Sequence, residues 1–407
     1  MSGQNLAIAN VILKDVYGDI NDQINNATPA LDGIKSSARN ITQVGGLGVK
    51  FVAHVGRNTG IGARAEDEDL PEAGNQQYVD GQTGLKSFYG SVRLTGQVMS
   101  QASQNYQTFA DVTAEEIERI RDDIAKDQNR QIFGDGTGTL AVATATSSAS
   151  VTLVVDNTKY VHIGMRVDLV DVSATGASST STILNTGGYA TISGINKATK
   201  TLTLDKAVTA AVGDALVRSN SSATAVVNNW KKEWTGFGAI ISATGSLHGI
   251  DPSTTPAWAA HTKDISSGGV AQQITEEDMI GMVTDIAEDG DKPDVIYTDH
   301  GSWNGYWKAL EDRRRYVNKV DLQGGNEFGD LPFKADFDAP EGKMWFVNSK
   351  KVNLNTNRGW EWIDEDGSKW KQVPRRDAFI AYLRNYSEIS TYRRNTHGVI
   401  SGIAAGV

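Results

Sequence analysis

Hydrophobic and polar positions fall into distinct periodic blocks along the chain. Ile8, Ile12, Val16, Ile20 and Ile24 recur every four residues, with Val11 and Tyr17 beside them, and define one stripe of a helix. Asn25-Asn26-Ala27-Thr28-Pro29 closes that pattern, because proline blocks the next hydrogen-bonded turn. The stripe fits two placements, on the chain's own core or as an arm on a neighbouring subunit. Residues 46–104 read as a long two-stranded excursion. Val49 to Val55 alternates into a glycine-punctuated stretch, and the acidic run Glu66-Asp67-Glu68-Asp69 follows. Leu85 to Met99 then returns, with Phe88, Val92, Leu94 and Val98 as its apolar positions. A hairpin this long and this polar cannot form a core alone, so it is expected to pack on something else.

Thr113-Ala114-Glu115-Glu116 fits a capping box and predicts a helix over 113–133, with Ile117, Ile120, Ile124 and Ile132 on one face. Glu115 with Arg119, and Asp122 with Lys126, are acid-before-base pairs one turn apart. Gly134 ends the helix, ahead of Asp135-Gly136-Thr137-Gly138. A phosphate cradle needs its glycines before a helix, so this run reads as a helix stop and turn. Residues 143–226 change character. They are rich in Ser, Thr, Ala and Val, with short alternating runs such as Val151 to Val155 and Thr201 to Leu204, which predicts a small all-β sandwich or barrel.

From Trp230 the pattern mixes helix and strand. Thr275-Glu276-Glu277-Asp278 opens a helix with Ile280, Val283 and Ile286 on its apolar face. Val295-Ile296-Tyr297 is a short buried strand. Asp299 or Ser302 caps a further helix carrying Trp303, Trp307 and Leu310, whose last turns hold Arg313-Arg314-Arg315. Leu331 to Phe337 and Met344 to Val347 follow, then a hairpin from Trp360 to Val373 turning at Asp366-Gly367, and a last strand-like stretch from Ala378 to Tyr392.

Composition sharpens this division. All nine Trp lie between Trp230 and Trp370, and no Pro occurs between Pro71 and Pro252. The 407 residues include no cysteine, which excludes a disulfide scaffold, thiolate metal sites and a cysteine nucleophile. No apolar run approaches the roughly 20 residues of a membrane-spanning helix, and the start lacks a signal-peptide pattern. Net charge is 39 − 49 = −10, which disfavours a sequence-reading nucleic-acid binder.

Local catalytic signatures are weak. His54, His162, His248, His261, His300 and His397 are far apart in sequence, and no H-x-x-x-H, H-x-H or G-x-S-x-G occurs. Asp289-Gly290-Asp291 and Asp364-Glu365-Asp366-Gly367 lack the ligand spacing of a calcium loop. Trp360 and Trp362 share a strand face, which fits either a core pair or a sugar-stacking platform. No catalytic, cofactor-binding or metal-binding residue is expected, and Asp299, His300 and Ser302 are read as structural.

The order of parts resembles the major capsid proteins of tailed bacteriophages, the fold named after phage Hong Kong 97. The most specific piece is Asn129-Arg130-Gln131-Ile132-Phe133-Gly134-Asp135-Gly136-Thr137-Gly138, similar to the ending of that family's spine helix. Leu70-Pro71 with Glu72-Ala73-Gly74 resembles its extended E-loop. Pro293 to Tyr297, Leu331-Pro332-Phe333 and Ala339 to Lys343 resemble its axial domain, and Ala378 to Ile400 the returning strands of its peripheral domain.

The resemblance implies an α+β chain with an N-terminal arm (1–45), an E-loop (46–104), a peripheral domain with the spine helix (105–142), an inserted all-β domain (143–226), an axial domain (227–372) and peripheral return strands (373–407). It implies a non-enzymatic subunit of pentamers and hexamers closing an icosahedral head around double-stranded DNA. That head would be assembled in the host cytoplasm, with a separate scaffolding protein, a portal and in some relatives a decoration protein. DNA would be enclosed without sequence-specific contacts, and no membrane or cofactor is implied. The expected subunit interface comprises Ile8, Ile12, Val16, Ile20 and Ile24, and the acidic run Glu66, Asp67, Glu68 and Asp69 facing Arg375, Arg376, Arg393 and Arg394. An encapsulin-like shell holding cargo, a secreted glycan-binding protein and a hydrolase with a non-local site are the alternative readings.

Overall fold

The computed structural model describes residues 27–36, 48–97, 106–172, 188–222, 227–311, 327–328, 331–365 and 367–405. The Ile8 to Ile24 stripe and Arg313-Arg314-Arg315 lie outside the described residues.

A short helix α1 (Pro29–Ser36) buries Ala30, Leu31 and Ile34. Strand β1 (Val49–Gly56) pairs antiparallel with β2 (Gln77–Thr83), Val49 opposite Thr83 and His54 opposite Tyr78. The excursion therefore returns at Gln77, earlier than expected. The stretch predicted as its return forms β3 (Lys86–Thr95), which pairs elsewhere. Alternation in this stretch marks a half-buried strand but carries no information about its partner. The long helix α2 runs Tyr106–Phe133. It starts seven residues before Thr113, so the predicted capping box is not its beginning.

The described residues between 139 and 218 form one antiparallel sheet. Its strands are β4 (Thr139–Val142), β5 (Ser147–Val154), β6 (Arg166–Val170), β7 (Ala190–Asn196), β8 (Thr201–Ala210) and β9 (Ala215–Arg218), in the spatial order β4-β9-β6-β7-β8-β5. The two end strands meet through an Ala143–Val155 bridge and the Thr144 N–H to Val154 carbonyl bond of 3.1 Å, so the sheet curls back on itself. Leu140, Leu153, Val167, Leu169, Ile192, Leu202, Leu204 and Leu216 fill the interior as a separate core. The module begins at Thr139, four residues ahead of the expected boundary at 143, because β4 pairs with β9.

The chain then passes through α3 (Phe237–Ile240) into a second six-stranded sheet. Its members are β10 (His261–Asp264), β11 (Val295–Thr298), β12 (Glu327–Phe328), β13 (Leu331–Ala335), β14 (Lys343–Val347) and β18 (Gly398–Ser401), ordered β10-β18-β14-β11-β13-β12. Both faces are covered at its centre, which is why β11 and β14 read as continuous apolar runs. Val295, Tyr297, Trp345, Val347 and Val399 face a core with Trp234, Phe237, Ile240 and Trp258. Their neighbours Ile296, Met344, Phe346 and Ile400 face the opposite core, with α4 (Glu276–Glu288) and α5 (His300–Glu311).

Helix α4 has the expected cap. The Thr275 hydroxyl accepts from Asp278 N–H, and the Asp278 carboxylate accepts from Thr275 N–H. Its buried stripe is Met279, Met282 and Ile286, whereas Ile280 is exposed, so the apolar face is rotated from the one expected.

Strands β15 (Val352–Trp362), β16 (Lys371–Gln372) and β17 (Ala378–Thr391) complete a third sheet with β3. The expected hairpin from Trp360 to Val373 does not form as a pair. Both β15 and β16 pair with β17, whose fourteen residues are long enough to serve them end to end. Ala378 to Ser387 pairs on its other side with Thr95 to Lys86. Ile120 and Ile124 of α2 lie against Gly90 on one face of this sheet. The C-terminal stretch is divided between sheets, since β18 inserts between β10 and β14 and does not join the peripheral strands.

Candidate functional site

The Asn129 to Gly138 segment joins several elements of the chain, and Asn129, Arg130 and Gln131 each have defined partners. Leu31 N–H of α1 donates to Asn129 Oδ1 at 3.0 Å. Asn129 Nδ2 donates to Asp336 at 3.0 Å and to Asp338 Oδ2 at 2.7 Å. Arg130 pairs with Glu233 at 2.6 Å and with Asp127 at 3.2 Å. Burial pushes the Asp127 carboxyl up, but Arg218 and Arg130 outweigh it and hold the group at about 2. Gln131 donates to Asp127 at 2.7 Å and accepts from Trp234 N–H at 3.2 Å. Gly136 and Gly138 have φ of +85° and +82°, so glycine is required to turn the chain out of the helix. The segment is a structural junction: it ties α1, α2, the 227–240 stretch and the loop after β13 into one body.

The β-module docks on the same junction. Lys159 Nζ donates to the Ala339 carbonyl and Tyr160 Oη to the Asp338 carbonyl, both at 2.7 Å. Lys126 and Lys159 both approach the Phe337 ring, at 5.3 and 5.0 Å. Sequence reasoning missed Glu233, Asp336, Asp338, Lys159 and Tyr160. Their partners lie up to 209 positions away along the chain, and no local spacing encodes such a pairing.

The hairpin has the opposite character. Its base is anchored by Phe51, whose ring lies 4.9 Å from Tyr392 and 5.9 Å from Trp258. One face of the pair packs on the main core through Phe51, Ala53, Val55 and Val79, whereas Val52 on the other face is 68% exposed, and Ile61 and Leu70 in the loop are 85% and 82% exposed. Glu66, Asp67, Glu68 and Asp69 are all exposed in the loop between β1 and β2. Within that loop Glu68 accepts from Ala65 N–H at 2.9 Å, and Arg64 donates to the Asp69 carbonyl at 2.9 Å.

The basic residues expected opposite this run divide into three environments. Arg375 and Arg376 are exposed in the turn between β16 and β17. Arg393 is partly exposed, 3.6 Å from Asp291 and donating to the Asp289 carbonyl at 2.9 Å. Arg394 is 1% exposed and donates to the carbonyls of Ala239, Ile240, Thr244 and Gly245 at 2.9–3.0 Å. Burial lowers its guanidinium to about 10. Arg394 is thus a cross-brace inside the folded chain, buried away from the surface where the expected contact would lie. A basic dipeptide on paper shows charge but not which of the two side chains turns inward.

Asp299, His300 and Ser302 do not assemble into a catalytic group. Asp299 accepts from Gly301, Ser302 and Gly342 N–H groups at 2.8–3.2 Å, which makes it the N-cap of α5. Ser302 is buried and His300 is exposed. Among the described residues no group of three acidic or histidine side chains could hold a metal ion, and no helix is long and apolar enough to cross a membrane.

Comparison with known proteins places this arrangement. No family model matches the chain, and no curated protein matches its sequence. Solved structures do match. The cyanophage A-1(L) capsid asymmetric unit superposes over 95% of this chain and 97% of its own, with a TM-score of 0.58 at 14% identity. The capsid of an empty GTA particle covers 96% of both chains, with a TM-score of 0.51 at 10% identity. The chain has the fold of phage capsid proteins.

Proposed function

We propose that this chain is the repeating subunit of a tailed-phage head, a major capsid protein of the Hong Kong 97 type carrying an all-β insertion at about 139–219. What carries the reading is a fold match along nearly the whole chain, 95% at a TM-score of 0.58. The exposed hairpin supports it. An extended element with open Val52, Ile61 and Leu70 gains burial when a second copy covers it. In this reading subunits form pentamers and hexamers that close an icosahedral shell around double-stranded DNA, in the virion. Scaffolding and portal proteins would take part in its assembly. The Ile8, Ile12, Val16, Ile20 and Ile24 stripe would lie on a neighbour or on the inner shell surface. Glu66, Asp67, Glu68 and Asp69 would face Arg375, Arg376 and Arg393 of a neighbour and set the register between copies. The net charge of −10 would limit adhesion of packaged DNA to the wall.

Electron microscopy of the purified full chain tests this directly. Closed polyhedral shells, or rings of five and six, are the expected result. A monodisperse monomer across low and high salt, with scaffolding co-expressed, would refute it. Replacing Asp299 with Ala should cost about 1 kcal/mol of stability, as loss of a helix cap does, and should abolish no hydrolytic activity.

A further inference from the structure

Two histidines meet at one residue, Thr391, at the end of β17. His248 opens a two-residue turn between Leu247 and Ile250, whose backbones exchange hydrogen bonds of 3.0 Å in both directions. His248 has a φ of +55° and Gly249 of +84°, so the histidine sits in the left-handed region. Its carbonyl accepts from Gln82 N–H of β2 at 2.8 Å, and its ring stands edge-on to Phe51 of β1 at 5.8 Å. Thr391 N–H donates to His248 Nε2 at 3.4 Å. One residue therefore touches both strands of the hairpin base and the end of β17. On the other side, the Thr391 hydroxyl lies 3.3 Å from Nε2 of His397, which is fully buried. Asn348 N–H, at the end of β14, donates to His397 Nδ1 at 3.2 Å. Each accepting nitrogen requires a neutral ring, with the proton on Nδ1 of His248 and on Nε2 of His397.

The charged surroundings offer little to a protonated ring. Arg394 is the charge acting on His248. Asp291 faces His397 but is engaged with Arg393 at 3.6 Å and Lys351 at 3.7 Å. Phe51, Gln82, Asn348, Thr391 and Tyr392 are uncharged.

We propose that His248, Thr391 and His397 form a pH-sensitive joint, in which neutral imidazoles hold the hairpin base on the body and protonation releases it. A protonated ring turns its accepting nitrogen into a donor that confronts the N–H of Thr391 or Asn348, and at His248 it adds a cation beside Arg394. Burial holds His248 down to about 4 and His397 down to about 3. Both shifts are downward, so the neutral rings stabilise the joint fully above the ordinary histidine value of about 6.5. That contribution is lost as the pH falls toward 4. The inference rests on the geometry of one subunit and not on the shell reading.

Hydrogen–deuterium exchange of the full chain, corrected for intrinsic pH dependence, tests it. Strands 49–56 and 77–83 are followed from pH 7 to pH 4, with 201–210 as the internal reference. Protection of the hairpin should fall about tenfold or more relative to the reference. His248→Asn is neutral at every pH and tolerates positive φ, and it should flatten that dependence. Unchanged wild-type protection down to pH 4 overturns the proposal, and so does an equal loss in His248→Asn. Should that variant not fold, the His248 ring titration in the wild-type chain, read by NMR, decides. A midpoint that coincides with hairpin release supports the joint, and one that does not overturns it.

Discussion

The β-module and the hairpin are both antiparallel, yet they treat their apolar side chains in opposite ways. The module bends its strands until the ends of the sheet meet, and Leu153, Leu202 and Leu216 are enclosed within about eighty residues of chain. The hairpin has two strands only, so its sheet has nothing to curl around, and Val52 and Tyr78 stay open. Strand count separates the two cases. Two strands cannot enclose a core, whereas six can. Each element is then tied to the body on one side, the module through Lys159, Tyr160 and Arg218, the hairpin through Phe51, Val55 and Val79 on the main core and the Gln82–His248 backbone bond.

Several substitutions would break or sharpen this contrast. The largest effect is expected at Leu202. Truncation to Ala leaves a cavity in the module and should cost about 2–5 kcal/mol. Leu70→Ala in the hairpin should stay within about 0.5 kcal/mol and act on shell yield instead. Chemical denaturation of both variants measures the difference, and equal losses would erase the distinction.

A second effect concerns the frame that holds both elements. Glu388 on β17 accepts from Thr235 N–H at 2.7 Å and from its neighbour Ile389 N–H at 3.1 Å. Burial raises its carboxyl to about 7. The raised value means that the protonated form stabilises the fold. The contribution is complete below about 4.5, the ordinary value, and is lost as the pH rises through 7. Glu388→Gln should therefore be more stable than the parent at pH 8, by an amount on the order of 2 kcal/mol, and equal to it at pH 4. Denaturant midpoints across that range provide the check.

The module's docking contact should be weaker. Tyr160→Phe removes one hydrogen bond and should cost about 1 kcal/mol, read as faster exchange at 336–341 with the module's own strands unchanged. If the module strands also loosen, the module is not an independent unit.

The smallest effect on the subunit is expected in the acidic run. Changing Glu66, Glu68 and Asp69 to Lys should alter subunit stability by about 0–1 kcal/mol, as exposed charges do. The same change should slow assembly at low salt and lose its effect near 1 M, where the Debye length is about 3 Å. Changing Arg375, Arg376 and Arg393 to Glu should partly restore the rate. Assembly kinetics by light scattering give the answer, and indifference at every salt concentration would leave the run as a solvated loop.

Local rules in the sequence determined the local elements. The Thr275 cap, the buried strand at Val295, the Asp299 cap and the strand periodicity between Val151 and Leu204 are each encoded within a few residues. Hydrogen-bonding caps and side-chain alternation act over one or two turns, so a linear reading captures them. Partner choice was decided only by tertiary structure. Alternation in Lys86–Thr95 is satisfied equally by β1 or β17, and only the assembled sheet selects β17. Gly398–Ser401 continues a run that reads as peripheral, yet it completes the central sheet because its Val399 and Ile400 supply both buried faces there. The same holds for side chains of like charge. Arg393 and Arg394 are adjacent and identical in type, and one meets solvent while the other is enclosed by four carbonyls. Burial of a charge depends on acceptors brought together from distant positions, and that convergence exists only once the chain has folded.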